Sequence, residues 1–424
     1  MKKKEIIFFL SFSSLQFYRI VHELFIKEIC KNFPKVYFVN IDNLVESKKR
    51  KNYNKKQFLN LPKKIIFINP IDFNSLDLFL KNKHPIIVNV IGREFKYYRL
   101  LFYLKKKNMP QVKITHGGDV RLGMGDYEYS HILPFIIRVL VKRLPQKLCA
   151  ILTSLGIFQK IDIRFESNKV LYNSFARNQK RFFRLPTIYK KFVLVKSKQF
   201  DEKYYNTKKK LKEDLILLLD IDVDFPELIF SLKRNFADIF QAHRNKTRAR
   251  SEKSKDSSGK LDKSLVDEHY EKLNLLLEKL SKTFKKKIVI SIHPKYNLNK
   301  TVQRFRGRYP VIKYKTKKLI QNSFLILDFG SSAIIDAVVL KKRILSLRSE
   351  LFKEKKYQSD AYSKVLNLKT LNIHKKLDFS GKILIRDLNS RIKYYDKYLK
   401  KYASSNLKVS GNKEIVRILK SKYF

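Results

Sequence analysis

The residues best equipped for chemistry lie between Ile288 and Ser346. One apolar run, Ile288–Ile292, ends in His293-Pro294. A second, Leu325–Leu327, ends in Asp328-Phe329-Gly330-Ser331-Ser332 and runs into an apolar helical pattern. A strand that stops at a short polar turn and opens a helix makes an anion-binding geometry. The first N–H groups of the helix are unpaired, and the positive end of its dipole faces the same spot. Ser331 and Ser332, with Gly330 in the turn, can cap those groups or share them with a phosphate. Pro294 keeps His293 in an extended segment, where its imidazole can hydrogen-bond a donor phosphate. Lys295 adds charge for a leaving diphosphate, so no metal is called for. Asp328 is expected to orient the loop.

A third candidate stands earlier. His116-Gly117-Gly118-Asp119, with Arg121-Leu122-Gly123 behind it, follows the apolar run Val112–Thr115 directly. Paired glycines let the backbone approach a ligand closely. A histidine there suits proton abstraction from an acceptor hydroxyl, which makes His116 the candidate general base. Each motif has a plainer reading: a glycine turn, a capped strand end, a serine N-cap. Asp336, on the helix after Ser332, suits either the ligand side or the polar side. Asp220, Asp222 and Asp224 alternate, which fits a cation site less well than a strand-end loop. The other histidines, His22, His84, His131, His243, His269 and His374, have no metal-ligand spacing. Neither a metal nor a cofactor is expected, the activated donor being a substrate.

The elements that would position these residues alternate strand and helix, the pattern of a parallel sheet. Strands are expected at Glu5–Phe12, Lys35–Ile41, Lys64–Asn69, Pro85–Ile91, Val112–Thr115 and Phe192–Lys196, with helices at Leu15–Asn32, Arg93–Lys107 and Ser130–Val141. Between Leu144 and Phe200 the pattern is weak. A second series begins at strand Asp214–Asp220 and continues through a helix at Pro226–Gln241. Arg244–Lys263 is charged and poor in large apolar residues, as a mobile loop would be. Beyond it come helix Ser264–Thr283, strand Lys287–Ile292, strand Val311–Tyr314, helix Thr316–Gln321, strand Phe324–Asp328, helix Ser331–Leu340 and strand Arg343–Leu347. The expected organisation is an N-terminal α/β domain at 1–205, a C-terminal α/β domain at 206–388 that carries the His293 and Asp328 motifs, and a helical tail at 389–424 in which Asn389–Tyr402 is helical. No G-x-G-x-x-G follows the first strand and no G-x-x-x-x-G-K-[ST] occurs, which disfavours dinucleotide oxidoreductases and P-loop enzymes.

Bulk composition narrows the field further. A chain of 424 residues with 44% hydrophobic content can build two ordinary cores. No apolar run reaches the roughly 18–20 residues that cross a bilayer. Two cysteines, Cys30 and Cys149, sit far apart in apolar surroundings and read as core thiols in a reducing compartment. The net charge of +55 points to nucleic acid or an anionic membrane surface. Yet the lysines are spread along the whole chain among Ile, Phe, Tyr and Asn, as AT-rich codons would produce. That even spread disfavours nucleic acid. The remainder of the charge suits phosphorylated donors beside acidic lipid headgroups.

His116-Gly117 with Leu122-Gly123, then His293-Pro294, then Asp328-x-x-Ser331-Ser332, resemble the ordered motifs of the CDP-glycerol glycerophosphotransferase family and of related capsule and lipopolysaccharide transferases of GT-B type. The resemblance implies a GT-B-like α/β fold, two Rossmann-like doubly wound domains facing a central cleft. It implies that the loop of His116, Gly117, Gly118, Asp119 and Arg121 faces the acceptor, while His293, Lys295, Asp328, Gly330, Ser331 and Ser332 serve the donor phosphates. Gly118-Asp119 stand where the family has Thr-Pro, and the donor loop lacks its Thr-Asp-Tyr wording, so the acceptor and the donor stay open. The resemblance implies a nucleotide sugar or CDP-glycerol as donor, and a saccharide or a lipid-linked acceptor. The function implied is surface polysaccharide synthesis by a cytoplasmic enzyme, able to dock peripherally on the inner face of the membrane. Two other readings stand beside it: a basic nucleic-acid-binding protein, and a catalytically silent GT-B-like partner subunit.

Overall fold

The computed structural model describes residues 5–12, 15–45, 62–90, 97–115, 148–180, 187–201, 213–220, 263–293, 296–349, 362–375 and 379–423. These divide into two compact units. The first holds the described residues up to Asp201 and those from Leu399 onward; the second holds those from Glu213 to Tyr398.

The first unit is a seven-stranded parallel sheet in the order β3-β2-β1-β4-β5-β6-β7. The strands are β1 (Ile6–Leu10), β2 (Val36–Asn40), β3 (Ile65–Ile68), β4 (Ile86–Asn89), β5 (Gln111–Thr115), β6 (Ile161–Glu166) and β7 (Tyr189–Leu194). Every residue of β1 is buried, as a central strand covered on both faces requires. That is why Ile6-Ile7-Phe8-Phe9-Leu10 is an unbroken apolar run rather than an alternating one. Helix Leu15–Asn32 lays Phe25, Ile26 and Ile29 on one face of the sheet. Phe8 and Phe38 meet edge to face there, their ring centroids 5.1 Å apart. Helices Phe73–Leu80 and Tyr98–Lys107 cover the other face with Leu76, Leu80, Leu100 and Leu104.

The first unit also uses the end of the chain. Helix Gly411–Tyr423, in the stretch read as a tail, inserts Ile415, Val416 and Leu419 into the same core as helix Leu15–Asn32. A Cβ on Gly411 would stand 2.0 Å from the Lys196 carbonyl oxygen, so only glycine lets that helix start where it does. The weakly patterned region holds β6 and helix Lys169–Gln179, neither of which was expected. In β6 the run Ile161-Asp162-Ile163-Arg164 breaks the apolar pattern because Arg164 folds back onto Glu166. The closing strand begins at Tyr189, three residues before the expected Phe192.

The second unit is a six-stranded parallel sheet in the order β10-β9-β8-β11-β12-β13. Its strands are β8 (Leu215–Leu219), β9 (Lys287–Ser291), β10 (Val311–Ile312), β11 (Ser323–Asp328), β12 (Arg343–Arg348) and β13 (Lys369–Asn372). Helix Lys263–Phe284 buries Leu273, Leu276, Leu277 and Leu280 against them. The unexpected strand is β13. Lys369-Thr370-Leu371-Asn372 is an exposed, mostly polar edge and gives no apolar signal. The helices expected at Ser130–Val141 and Pro226–Gln241, and the loop expected from Arg244, lie outside the described residues up to Lys263, which opens a helix. Both sheets grow outward from their first strand in two directions. The chain is therefore α/β, with two Rossmann-like, doubly wound units. No helix among the described residues is long and apolar enough to cross a membrane.

Candidate functional site

In a doubly wound sheet, ligands bind beyond the carboxyl ends of the strands, at the point where the strand order reverses. In the second unit that point lies between β8 and β11, and β11 ends in Asp328. Asp328 is fully buried. One carboxylate oxygen accepts the Gly330 N–H at 2.8 Å and the other accepts the Ser331 N–H at 2.8 Å. Gly330 sits at φ +103°, a conformation that side chains rarely adopt, so the turn requires its glycine. Burial pushes the Asp328 carboxyl up to about 7, against the opposing pull of the two N–H groups and of Arg348.

The N–H groups of Gly330 and Ser331 are held by Asp328, so the carboxylate carries the turn and those two donors face inward. Ser331 does cap, but its hydroxyl accepts the Ala333 N–H at 3.2 Å, inside the turn. The helix behind it runs only from Ile334 to Val339, not from Ser331 to Leu340. Ser332 is the exposed hydroxyl residue of the turn. Asp336 is buried on that short helix rather than displayed on a polar side. The turn is thus a rigid, internally bonded platform.

His293 lies on the same edge, just past β9, with β8 between it and the Asp328 turn. It is half-buried. Its carbonyl accepts the Tyr296 N–H at 2.9 Å and its ring lies 5.4 Å from that of Tyr296. The edge therefore brings together His293, Asp328, Gly330, Ser331 and Ser332. Lys295, and the loop of His116, Gly117, Gly118, Asp119 and Arg121, lie outside the described residues.

Further along the edge stand groups that sequence reasoning missed. Ser349 follows β12 and His374 follows β13, while Glu268 and His269 lie on helix Lys263–Phe284. His269 Nδ1 is 2.7 Å from Ser349 Oγ, and Ser349 Oγ is 3.0 Å from His374 Nε2. His374 Nδ1 is 3.0 Å from a Glu268 carboxylate oxygen. His269 is completely buried, and its pKa is pushed down to about 3 by that burial and then by the nearby His374 and Arg304, so it is neutral at ordinary pH. Its ring lies 5.5 Å from that of Phe329, in the Asp328 turn. Arg348, also unremarked in the sequence, donates to Ser346 at 3.1 Å and to Ser363 at 3.2 Å. The one usable sequence signal was placement immediately after a strand, and for His374 the strand itself was invisible. Among the described residues no group of three or more His, Cys, Asp or Glu side chains could hold a metal ion.

No protein-family model matches the chain, and no curated protein matches it either. Solved structures do. A UDP-GlcNAc 2-epimerase from Neisseria meningitidis, bound to UDP-GlcNAc, aligns over 99% of this chain and 100% of its own, at 13% identity and a TM-score of 0.49. The wall teichoic acid polymerase TagF, soaked with CDPG, aligns over 99% and 89%, at 11% identity and a TM-score of 0.49. The calicheamicin glycosyltransferase CalG4 aligns over 99% and 98%, at 10% identity and a TM-score of 0.48. Each is a likeness of fold.

Proposed function

We propose that this chain is a GT-B-type transferase that binds a nucleotide-activated donor at the carboxyl edge of its second sheet and transfers the activated group to a hydroxyl acceptor in surface polysaccharide synthesis. The observation that carries this reading is the Asp328 turn, a rigid glycine-containing platform at the switch point between β8 and β11. A fully buried carboxylate is a costly way to shape a loop, and such groups gather where a site must be held in one geometry. In this reading Ser332 and His293 meet the donor's diphosphate, Lys295 adds charge, and Asp328, Gly330 and Ser331 keep the platform in shape. His116 acts as general base toward the acceptor, with Gly117, Gly118, Asp119 and Arg121 forming its loop. The transferred group is glycosyl or glycerophosphoryl, and the acceptor is a saccharide or a lipid-linked one. The excess of basic residues favours docking on an anionic membrane surface.

The test is thermal stabilisation against CMP, CDP, UDP, GDP and CDP-glycerol, with a random oligonucleotide as control. Binding to the folded state at a hundredfold excess over the dissociation constant stabilises by about 2.7 kcal/mol. One nucleotide is expected to give that shift, and His293→Ala and Ser332→Ala to reduce it. No shift with any nucleotide sinks the proposal, and a shift with the oligonucleotide alone replaces it with the nucleic-acid reading.

A further inference from the structure

Glu268, His374, Ser349 and His269 have no part in the donor chemistry above, yet their hydrogen bonds run in one direction. An ionised carboxylate can only accept, so His374 Nδ1, 3.0 Å from Glu268 Oε1, carries a hydrogen. In a neutral imidazole the other nitrogen is then bare, and His374 Nε2 accepts the Ser349 hydroxyl hydrogen across 3.0 Å. Ser349 Oγ has no second hydrogen to offer. His269 Nδ1, 2.7 Å away, must therefore donate to it. The chain delivers the serine proton toward a base that is itself held by a carboxylate.

We propose that Glu268, His374 and Ser349 form a carboxylate–imidazole–hydroxyl triad in which Ser349 is a base-activated nucleophile toward small carboxylic esters. Three observations carry it. Both hydrogen bonds have the separation such triads need. Ser349 and His374 stand just past the carboxyl ends of neighbouring strands, β12 and β13, on the edge where ligands reach a sheet of this class. The third is the tautomer, which Glu268 fixes in the productive sense. Ser349 is only 6% exposed, which selects a small acyl group over a bulky one.

The step balances with water as co-substrate. Ser349 Oγ bonds to the ester carbonyl carbon as its proton passes to His374 Nε2. The bond from that carbon to the alkoxy oxygen breaks, and the leaving alcohol takes the proton from His374. Water then attacks the acyl-serine with His374 as base, releasing the carboxylic acid and restoring Ser349. The His269 N–H holds Ser349 Oγ in position, while the negative charge of the addition step develops on the ester carbonyl oxygen. Glu268 acts through His374 and is a positioning residue.

The full-length protein is treated with an ethoxy fluorophosphonate and the modified residue is mapped by peptide mass spectrometry. Labelling at Ser349 is expected, and it disappears in Ser349→Ala. The rate should fall about 100-fold in His374→Asn, the scale of losing a positioned base. Glu268 is half-exposed, so Glu268→Gln keeps the fold; it should slow labelling, and Glu268→Asp should recover part of the rate. Folded wild-type protein that stays unlabelled at Ser349 overturns the proposal. So does labelling at Ser349 that is equally fast in folded His374→Asn.

Discussion

The two units repeat one strand order but finish their strands with different chemistry. In the first sheet, β2 and β4 end in buried amides. Asn40 Oδ1 takes the N–H groups of Phe12 at 3.3 Å and Asp42 at 3.1 Å, and Asn89 donates to Gln111 at 3.1 Å. Where a charged group does close a strand there, at Glu166, it is paired with Arg164 of the same strand. In the second sheet the strand ends and the positions just past them hold Asp220, Asp328, Ser349 and His374, and His269 packs against the Asp328 turn. A buried amide needs only hydrogen bonds, and its contribution is the same at every pH. A buried ionisable group must also resist charging or discharging, and it answers to pH. Equivalent scaffolds therefore close their strands differently: the first sheet with amides and one ion pair, the second with groups whose contribution answers to pH.

The contrast can be broken at its most strongly perturbed group. His269 has a pKa held near 3, well below the ordinary histidine value, so its contribution is complete above about pH 6.5 and is lost as pH falls toward 3. Between pH 6.5 and 4 this loss is roughly 3 kcal/mol, read as the difference in protection of the β11 and β12 amides between wild type and His269→Gln, in which the opposite titration of Asp328 cancels. Equal acid sensitivity in β1 and β2 would erase the distinction between the sheets.

A smaller effect, of opposite sign, belongs to Asp328. Its carboxyl is raised to about 7, so the stability it provides is present below about pH 4 and is lost as pH rises through 7. Asp328→Ala also strands two backbone N–H groups and should cost about 2–3 kcal/mol, with the larger cost at pH 5 than at pH 8. Urea unfolding at the two pH values measures the difference. Asn40→Ala sharpens the comparison, because it too strands two N–H groups but involves no titration. Its cost should be about 1–2 kcal/mol and identical at both pH values. A pH-dependent Asn40→Ala would show that the first sheet is not inert.

Most strands of both sheets were legible because buried parallel strands are continuous apolar runs, as in Ile6–Leu10 and Leu215–Leu219. Two failed for opposite reasons. The strand β6 carries an internal ion pair that looks like surface, and β13 is a real edge whose side chains are largely exposed. At the site, the order Asp328-Gly330-Ser331 was visible, but not which oxygen would take which N–H. Asp328, Ser331 and a phosphate are all competent acceptors, and only the backbone path decides among them. The chain from Glu268 to His269 was beyond reach altogether. Its members come from three elements, and the bond from His374 to Glu268 spans 106 residues. No local pattern encodes such a meeting.

Helix Gly411–Tyr423 has a consequence for how the molecule is made. Ile415, Val416 and Leu419 fill the same core as Ile6 and Phe8, at the far end of the sequence. At a synthesis rate of about 5–20 residues per second, the first sheet waits on the order of tens of seconds with an open apolar face after its last strand has emerged. The second sheet, whose strands all lie between Leu215 and Asn372, needs nothing from that helix and can close first. The amino-terminal sheet of this protein is thus begun first and completed last.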